Sequence, residues 1–189
     1  PYRRGVPRGL SCNQASDVTE PAMTSPRPKP NPRPSSAFLT VDPDREGKQT
    51  GFLMIPHSPH DDAWGATRVP VCVIKNGSGP TVILEGGNHG DEYEGPITIC
   101  DLIRDLDPGR IQGRLILMPA NNVHAVIAGQ RTSPVDGLNF NRTFPGDPRG
   151  TITQQISAYV ADHILPLELP ELERDQGGPP GVGVRLGRG

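Results

Sequence analysis

The stretch between residues 81 and 119 constrains the fold more than any other part of the chain, because strand and helix patterns alternate along it. Thr81–Glu85 is a continuous apolar run of the kind that a buried strand shows. After a Gly-Gly-Asn turn, Pro96–Leu106 carries apolar residues at helical spacing, and Leu115–Pro119 is a second buried-type strand. Two strands joined by a crossover helix predict an α/β fold with a sheet flanked by helices.

The ends of the chain differ in composition from its middle. Residues 1–35 contain eight prolines and six Lys or Arg residues against two acidic residues, and they lack apolar periodicity. Such a segment buries too little apolar surface to offset the entropy of ordering it, so we expect a disordered Pro/Arg-rich arm. Residues 168–189 are rich in Gly and Pro and predict a disordered or aberrant tail. The segment between them, residues 36–167, has the length of one domain, and we expect it to fold as one.

Charge, cysteines and hydropathy exclude several classes of protein. The formal net charge of −2 gives no support for nucleic-acid binding. No apolar run approaches the ~18 residues of a membrane span, and the first residues lack the apolar core of a signal peptide. Three cysteines without a C-x-x-C pair predict neither a disulfide framework nor a zinc knuckle. Cys72 and Cys100 stand in apolar surroundings and predict buried thiols in a cytoplasmic protein.

A His/Glu pair follows the first strand directly. His89 and Glu92 are three residues apart in the segment 85–96, so a turn or helix start points both side chains the same way. Imidazole and carboxylate are suitable zinc ligands, and the glycines around them allow a sharp turn. A lone H-x-x-E pattern is more often a solvated surface pair. Its place at the end of a buried strand, where α/β sheets bind ligands, favours a metal site.

Two segments resemble a known family. Gly86–Pro96 is similar to the first zinc motif of the succinylglutamate desuccinylase/aspartoacylase family, which is related to zinc carboxypeptidases, and residues 131–146 resemble that family's second conserved loop. The resemblance covers about residues 40–166. It implies a zinc-carboxypeptidase-like mixed sheet flanked by helices. The site residues that it implies are the zinc ligands His89 and Glu92, the substrate-carboxylate residues Asn141 and Arg142, and the oxyanion-stabilising Arg131.

The family's chemistry agrees with these residue types, although alternatives remain. A guanidinium forks onto a carboxylate with two parallel hydrogen bonds, which Lys cannot reproduce. The alternative for Arg131 and Arg142 is a surface salt bridge with Asp136 or Asp147. The remaining candidates are a polar loop at 57–62, which could resemble a metal cluster; His124, which either lines the cleft or has a solvated or capping role; and His163, which we expect to be packed.

The resemblance ends near residue 167. In the family, a later histidine is the third zinc ligand and a later Glu is the general base, but no histidine follows His163 here and no strand-like run follows Leu167. Segment 36–167 is thus interpreted as the N-terminal part of a zinc deacylase domain, incomplete at its C-terminus. We expect zinc-dependent hydrolysis of the amide bond of an N-acyl amino acid in the intact parent and an inactive form here.

Two other functions stay open. The first is a non-catalytic remnant or binding module with half a metal site, and the second is a carboxypeptidase-like peptidase. The expected partner is a small-molecule N-acyl amino acid substrate, with neither nucleic acid nor membrane, and a homo-oligomer is left open.

Overall fold

The strands form one mixed sheet. The computed structural model of the chain describes residues 31–58 and 65–168; residues 1–30 and 169–189, which make up most of the predicted arm and tail, lie outside the described residues. The strands are β1 (Phe38–Leu39), β2 (Gly47–Pro56), β3 (Ala66–Asn76), β4 (Thr81–Glu85) and β5 (Gly113–Met118). Their order is β1-β2-β3-β5-β4, with β4 parallel to β5 and the other neighbours antiparallel. The predicted mixed α/β sheet is confirmed.

In the part of the chain that the structure describes, three α-helices accompany the sheet: α1 (Glu94–Asp105), α2 (Val123–Ala128) and α3 (Ile152–Tyr159). Helix α1 is the crossover between the parallel strands β4 and β5, as the sequence predicts. A capping box formed by Thr151 and Gln154 starts α3. Helix α3 continues through a π-helical turn, Val160–Ile164, into a 3-10 turn, Leu165–Leu167. The predicted stripe along this segment is buried: Ile152, Ile156, Val160 and Ile164.

The sheet is covered on both faces. In β3, Val71 and Val73 belong to the larger core cluster, together with Phe140 and α3. The intervening residues Cys72 and Ile74 belong to a second cluster, together with Ile99 of α1. Because successive side chains of a strand point to opposite faces, the unbroken apolar run of β3 fills both cores.

Two burial predictions are wrong. β4 is the end strand of the sheet among the described residues, so none of its side chains is fully buried and Val82 is 46% exposed. Cys72 is buried as expected, but Cys100 is exposed, because α1 packs against the sheet mainly through Ile99 on another of its faces. Cys12 lies outside the described residues.

Pro70 lies in a part of the central strand β3 that is paired on one side, as an edge strand is. β3 lies between β2 and β5, but its pairing with β5 covers only Cys72–Asn76, while Pro70 is paired with Phe52 of β2. At Pro70 the strand therefore has a neighbour on one side only, which is where a residue without a backbone N–H is tolerated.

Arg33 is fixed to the domain rather than solvated, although the sequence places it in the arm. Its Nε donates to Asp162 Oδ2 at 2.6 Å, and its terminal nitrogens donate to the carbonyls of Gly146 (2.9 Å) and Pro145 (2.7 Å). One guanidinium thus holds the end of the loop before α3 against the π-helical turn after it. Within the described residues, no helix has the length and apolarity needed to cross a membrane.

Candidate metal and substrate site

The turn after β4 is held by the chain that leaves β5. The backbone N–H of Gly86 donates to the Met118 carbonyl at 2.8 Å, and those of Asn121 and Asn122 donate to Gly86 (2.9 Å) and Gly87 (3.0 Å). Gly87 has φ of 66°, and a Cβ there would lie 3.0 Å from Ala120 Cα. Glycine is therefore required where the two backbones run side by side.

His89 follows this turn and is 7% exposed. Its Nδ1 lies 2.9 Å from Glu92 Oε1, and its Nε2 lies 3.2 Å from Asn139 Oδ1. The two predicted ligand side chains therefore converge, as their spacing suggests. Glu92 itself is exposed, so the pair is buried on the histidine side and open on the carboxylate side.

The second loop brings two further predicted residues to His89 and Glu92. Arg131 Nη1 lies 3.1 Å from Glu92 Oε1, and Asn141 Nδ2 lies 3.5 Å from His89 Nε2. Arg142 is exposed, and its guanidinium makes no ion pair within the part of the chain that the structure describes. In this same part, neither arginine pairs with Asp136 or Asp147, the alternative that the sequence left open.

Asn139 is a site residue to which the sequence analysis assigned no role. Its side-chain oxygen accepts from the Asn141 backbone N–H at 3.1 Å and faces His89 Nε2. The N-x-N spacing within the second loop is the local signal, since an Asn that caps its own turn holds its side chain in one orientation. That the oxygen also meets an imidazole fifty residues earlier is decided only by tertiary structure.

The donor set fits two positions of a zinc site. Zinc takes imidazole nitrogen and carboxylate oxygen at about 2.0–2.2 Å, so two ligands of one tetrahedral ion stand about 3.3 Å apart. The 2.9 Å between His89 Nδ1 and Glu92 Oε1 is close to that separation. Asn139 faces the other ring nitrogen, as the outer partner of a metal-bound histidine does. Among residues 31–58 and 65–168, no group of three or more His, Cys, Asp or Glu residues is arranged to hold a metal.

The electrostatics favour an ionised Glu92. The hydrogen bond with His89 is the largest cause that holds the pKa of Glu92 below its usual range; burial opposes it, and Arg131 adds to it. A deprotonated carboxylate is the form that both a metal ion and a guanidinium bind.

Asp136 fastens the second loop to the start of α3. Its Oδ1 accepts from the Thr153 hydroxyl (2.8 Å) and the Leu138 N–H (3.2 Å), and its Oδ2 accepts from the Thr153 N–H (2.9 Å). Burial raises the pKa of Asp136, but the hydrogen bonds from Thr151, Thr153 and Leu138 outweigh it, so the pKa lies below its usual range. These hydrogen bonds therefore restrain the backbone of the loop just before Asn139 and Asn141.

We expect Asp136→Asn to lower the free energy of unfolding by about 1.5–3 kcal/mol at pH 7, because an amide accepts fewer of these hydrogen bonds. The pKa of the carboxyl is depressed on folding, so its stabilisation is present above its unfolded pKa and is lost as pH falls through the folded pKa. Urea denaturation at pH 7 and at successively lower pH, starting below about 4, should show the two proteins converging. Asp147→Asn is the control, since within the described residues the exposed carboxylate of Asp147 accepts a single hydrogen bond, from the Arg149 N–H. A pH-independent difference would contradict the assignment.

Among the described residues, no other histidine is hydrogen-bonded to His89 or Glu92. His124 lies within 2.9 Å of the Thr67 hydroxyl, and its pKa is lowered, first by burial and then by His57. His163 stacks on Tyr159 with ring centroids 4.4 Å apart, so the predicted packing role is confirmed. His57 lines a separate pocket at the end of β2, and His60, Asp61 and Asp62 lie outside the described residues.

Comparison with known proteins identifies the family that the chain resembles. Residues 78–168 match the family model of the succinylglutamate desuccinylase/aspartoacylase catalytic domain. The N-alpha-acetyl-L-2,4-diaminobutyric acid deacetylase of Halomonas elongata is 47% identical over 146 residues, which are 77% of this chain and 43% of that protein.

Solved structures give the same answer. The product-bound ectoine utilization protein EutE (DoeB) from Ruegeria pomeroyi superposes with a TM-score of 0.71 at 47% identity, over 72% of this chain and 42% of that one. A succinylglutamate desuccinylase from Silicibacter sp. TM1040 superposes with a TM-score of 0.71 at 43% identity, over 72% and 41%.

The mixed sheet and these matches define part of a catalytic domain of the deacylase class. Residues 78–168 belong to the catalytic domain of the succinylglutamate desuccinylase/aspartoacylase family, and the resemblance inferred from the two motifs is confirmed. The chain spans less than half the length of the relatives that it matches.

Proposed function

We propose that the protein to which this region belongs hydrolyses the amide bond of an N-acyl amino acid, with a zinc ion held in part by His89 and Glu92. The observation that carries the proposal is the convergence of side chains from two separate loops, with Glu92 and Asn139 on the two ring nitrogens of His89. The deacetylase of Halomonas elongata, 47% identical, supports an N-acetylated diamino acid as the substrate.

Each residue of the site has a chemical task under this proposal. The Asn139 side-chain oxygen accepts a hydrogen bond from the N–H at His89 Nε2, which leaves Nδ1 free to bind metal. When bound, zinc would lower the pKa of a water molecule and polarise the scissile carbonyl. Asn141 and Arg142 would hold the substrate carboxylate through charge-assisted hydrogen bonds. The remaining zinc ligand and the general base would come from residues outside the described part of the chain.

Arg131 requires a rearrangement to act as proposed. Its guanidinium now shares Glu92 Oε1 with His89, and it is more than half exposed. Once Glu92 binds metal, Arg131 is available to stabilise negative charge on the carbonyl oxygen in the transition state.

The Arg131–Glu92 ion pair also favours a second candidate function, a binding module for carboxylate ligands without metal. In that case the pair is a permanent part of the site, because Arg131 neutralises the carboxylate that zinc would otherwise use.

Ligand binding by the purified chain, with and without zinc, tests the proposal. Calorimetric titration should show N-acetyl-L-2,4-diaminobutyrate binding more tightly than N-acetyl-aspartate or a short peptide. We expect Arg142→Lys to weaken that binding about tenfold, because an ammonium cannot make the two parallel bonds of a guanidinium. Arg149→Lys, an exposed arginine of the same loop, should have no effect.

Three outcomes of this titration separate the candidates. Tightest binding of the peptide would favour a carboxypeptidase-like peptidase. Zinc-independent binding of all three ligands would favour the binding module, and no binding of any of them would contradict the proposal.

A further inference from the structure

Two consecutive buried amides lie under the His89 turn. Asn121 is completely buried and Asn122 is 1% exposed, at the point where the chain leaves β5. Buried amides are costly unless they are hydrogen-bonded, so each has a cost that the fold must offset. Neither residue has a role in the function proposed above.

Asn121 contacts the chain on both sides of the Gly86-Gly87 turn. Its Nδ2 donates to Asn88 Oδ1 at 3.2 Å, and its backbone N–H donates to the Gly86 carbonyl at 2.9 Å. Its side chain also lies close enough to the carboxyl group of Glu85, the last residue of β4, to lower the pKa of that group. One buried side chain therefore bridges the residue before the two glycines and the residue after them.

One oxygen of Glu85 and one of Asn121 indicate the protonation state of the Glu85 carboxyl group. Glu85 Oε1 and Asn121 Oδ1 are both buried, and neither has a hydrogen-bond partner among residues 31–58 and 65–168. Burial raises the pKa of Glu85 and Glu168 adds to the rise, while Asn121 opposes it. Two acceptors cannot satisfy each other, but a protonated carboxyl has an O–H that can donate to an amide oxygen.

We propose that Asn121 is the positioning residue of the His89 turn, and that it acts by linking the Glu85 carboxyl group to the Asn88 side chain. Gly86 and Gly87 have no side chains to restrict their backbone, and Asn88 directly precedes His89. Without the bridge the turn loses a side-chain contact on each side, and the imidazole loses its fixed direction toward Glu92 and Asn139. The consequence for zinc affinity, a loss of about tenfold to a hundredfold, rests on the proposed function.

The experiment compares Asn121→Ala with Asn122→Ala in the metal-free chain. Asn122 is a matched control, because it is equally buried and its Nδ2 makes no hydrogen bond within the described residues. Hydrogen exchange is followed at the amides of Gly86 and Gly90, which donate to Met118 and Gln130, and at Ile116 in the centre of the sheet. Nitrogen chemical shifts of the His89 ring are recorded in parallel.

We expect Asn121→Ala to speed exchange at Gly86 and Gly90 more than about tenfold relative to Ile116, and to shift the His89 ring signals, whereas Asn122→Ala does neither. A purely structural role would raise exchange at all three amides together. Equal effects of the two substitutions, or no local effect of Asn121→Ala, would overturn the proposal.

Two further variants remove the bridge without opening the core. Asn88→Ala should reproduce the local effect at a wild-type Tm, since Asn88 is only half-buried. Glu85→Gln, which keeps a neutral hydrogen-bonding group, should behave like wild type, while Glu85→Leu should behave like Asn121→Ala. Wild-type exchange in Glu85→Leu would overturn the part assigned to Glu85. A local effect in a chain that binds no zinc would support the positioning role and would leave metal binding to the intact parent.

Discussion

His89→Ala is expected to lower the zinc affinity of the chain more than about a hundredfold, since loss of an outer partner alone costs ten- to a hundredfold. The imidazole is the buried member of the proposed ligand pair, so no water-exposed group can take its place at the same point. Metal content after dialysis and calorimetric titration with zinc chloride measure the effect. Zinc binding should also weaken as the pH falls, because the metal competes with protons for both ligands.

The control for this prediction is His57→Ala. His57 belongs to the other cluster that could resemble a metal site, and it lines a pocket at the end of β2 to which His89 does not contribute. Zinc lost in His57→Ala and retained in His89→Ala would move the site to that cluster. Zinc near one per chain, lost only in His89→Ala, would mean that another residue or a second subunit completes the ligand set. Little zinc in the wild-type chain would assign the function to the intact parent.

Gly90→Ala is expected to destabilise the fold by about 3 kcal/mol or more. A Cβ at this position would overlap the backbone carbon and oxygen of Ala125 in α2. Backbone atoms of a helix cannot move aside as a flexible side chain can, so the turn and α2 would have to separate. The Gly90 N–H, which donates to the Gln130 carbonyl at 2.8 Å, would lose its partner as well. The midpoint of urea denaturation measures the change.

Gly95→Ala is the matched control, a second glycine of the same motif. It lies within α1, and its added Cβ would meet Gly86 Cα at 3.5 Å, an ordinary contact. Alanine restricts the unfolded chain and favours helix, so we expect stability to stay the same or to rise by about 0.5–1 kcal/mol. Equal stability of the Gly90 and Gly95 variants would contradict the close approach of the His89 turn to α2.

Glycine spacing in this motif was visible in the sequence, but the reason for each glycine was not. The run Thr81–Glu85, the turn after it and the helical period of residues 96–106 predicted the crossover unit correctly, because strand and helix periodicity is local information. The same holds for the buried stripe of α3. The contact between Gly90 and Ala125 joins residues that are far apart along the chain, so no local pattern indicates it.

The candidate site divides in the same way. His89 and Glu92 are brought together by their spacing, and the sequence was sufficient to place them side by side. The sequence did not indicate a role in the site for Asn139 or Asn121, because an asparagine in a loop is ordinarily a turn residue. Their importance comes from what they contact: an imidazole fifty residues away in one case, and both flanks of a glycine turn in the other.

The sequence by itself determined the class of fold, the family resemblance and the convergence of the His89 and Glu92 side chains, since these depend on periodicity and on short motifs. Tertiary structure alone decided the exposure of Cys100 and of β4, the anchoring of Arg33, and the buried amides beneath the site. The physical reason is that burial and hydrogen-bond partners depend on which distant segment packs against a residue. The chemistry of a side chain restricts which segments can pack there, but it does not determine which one does.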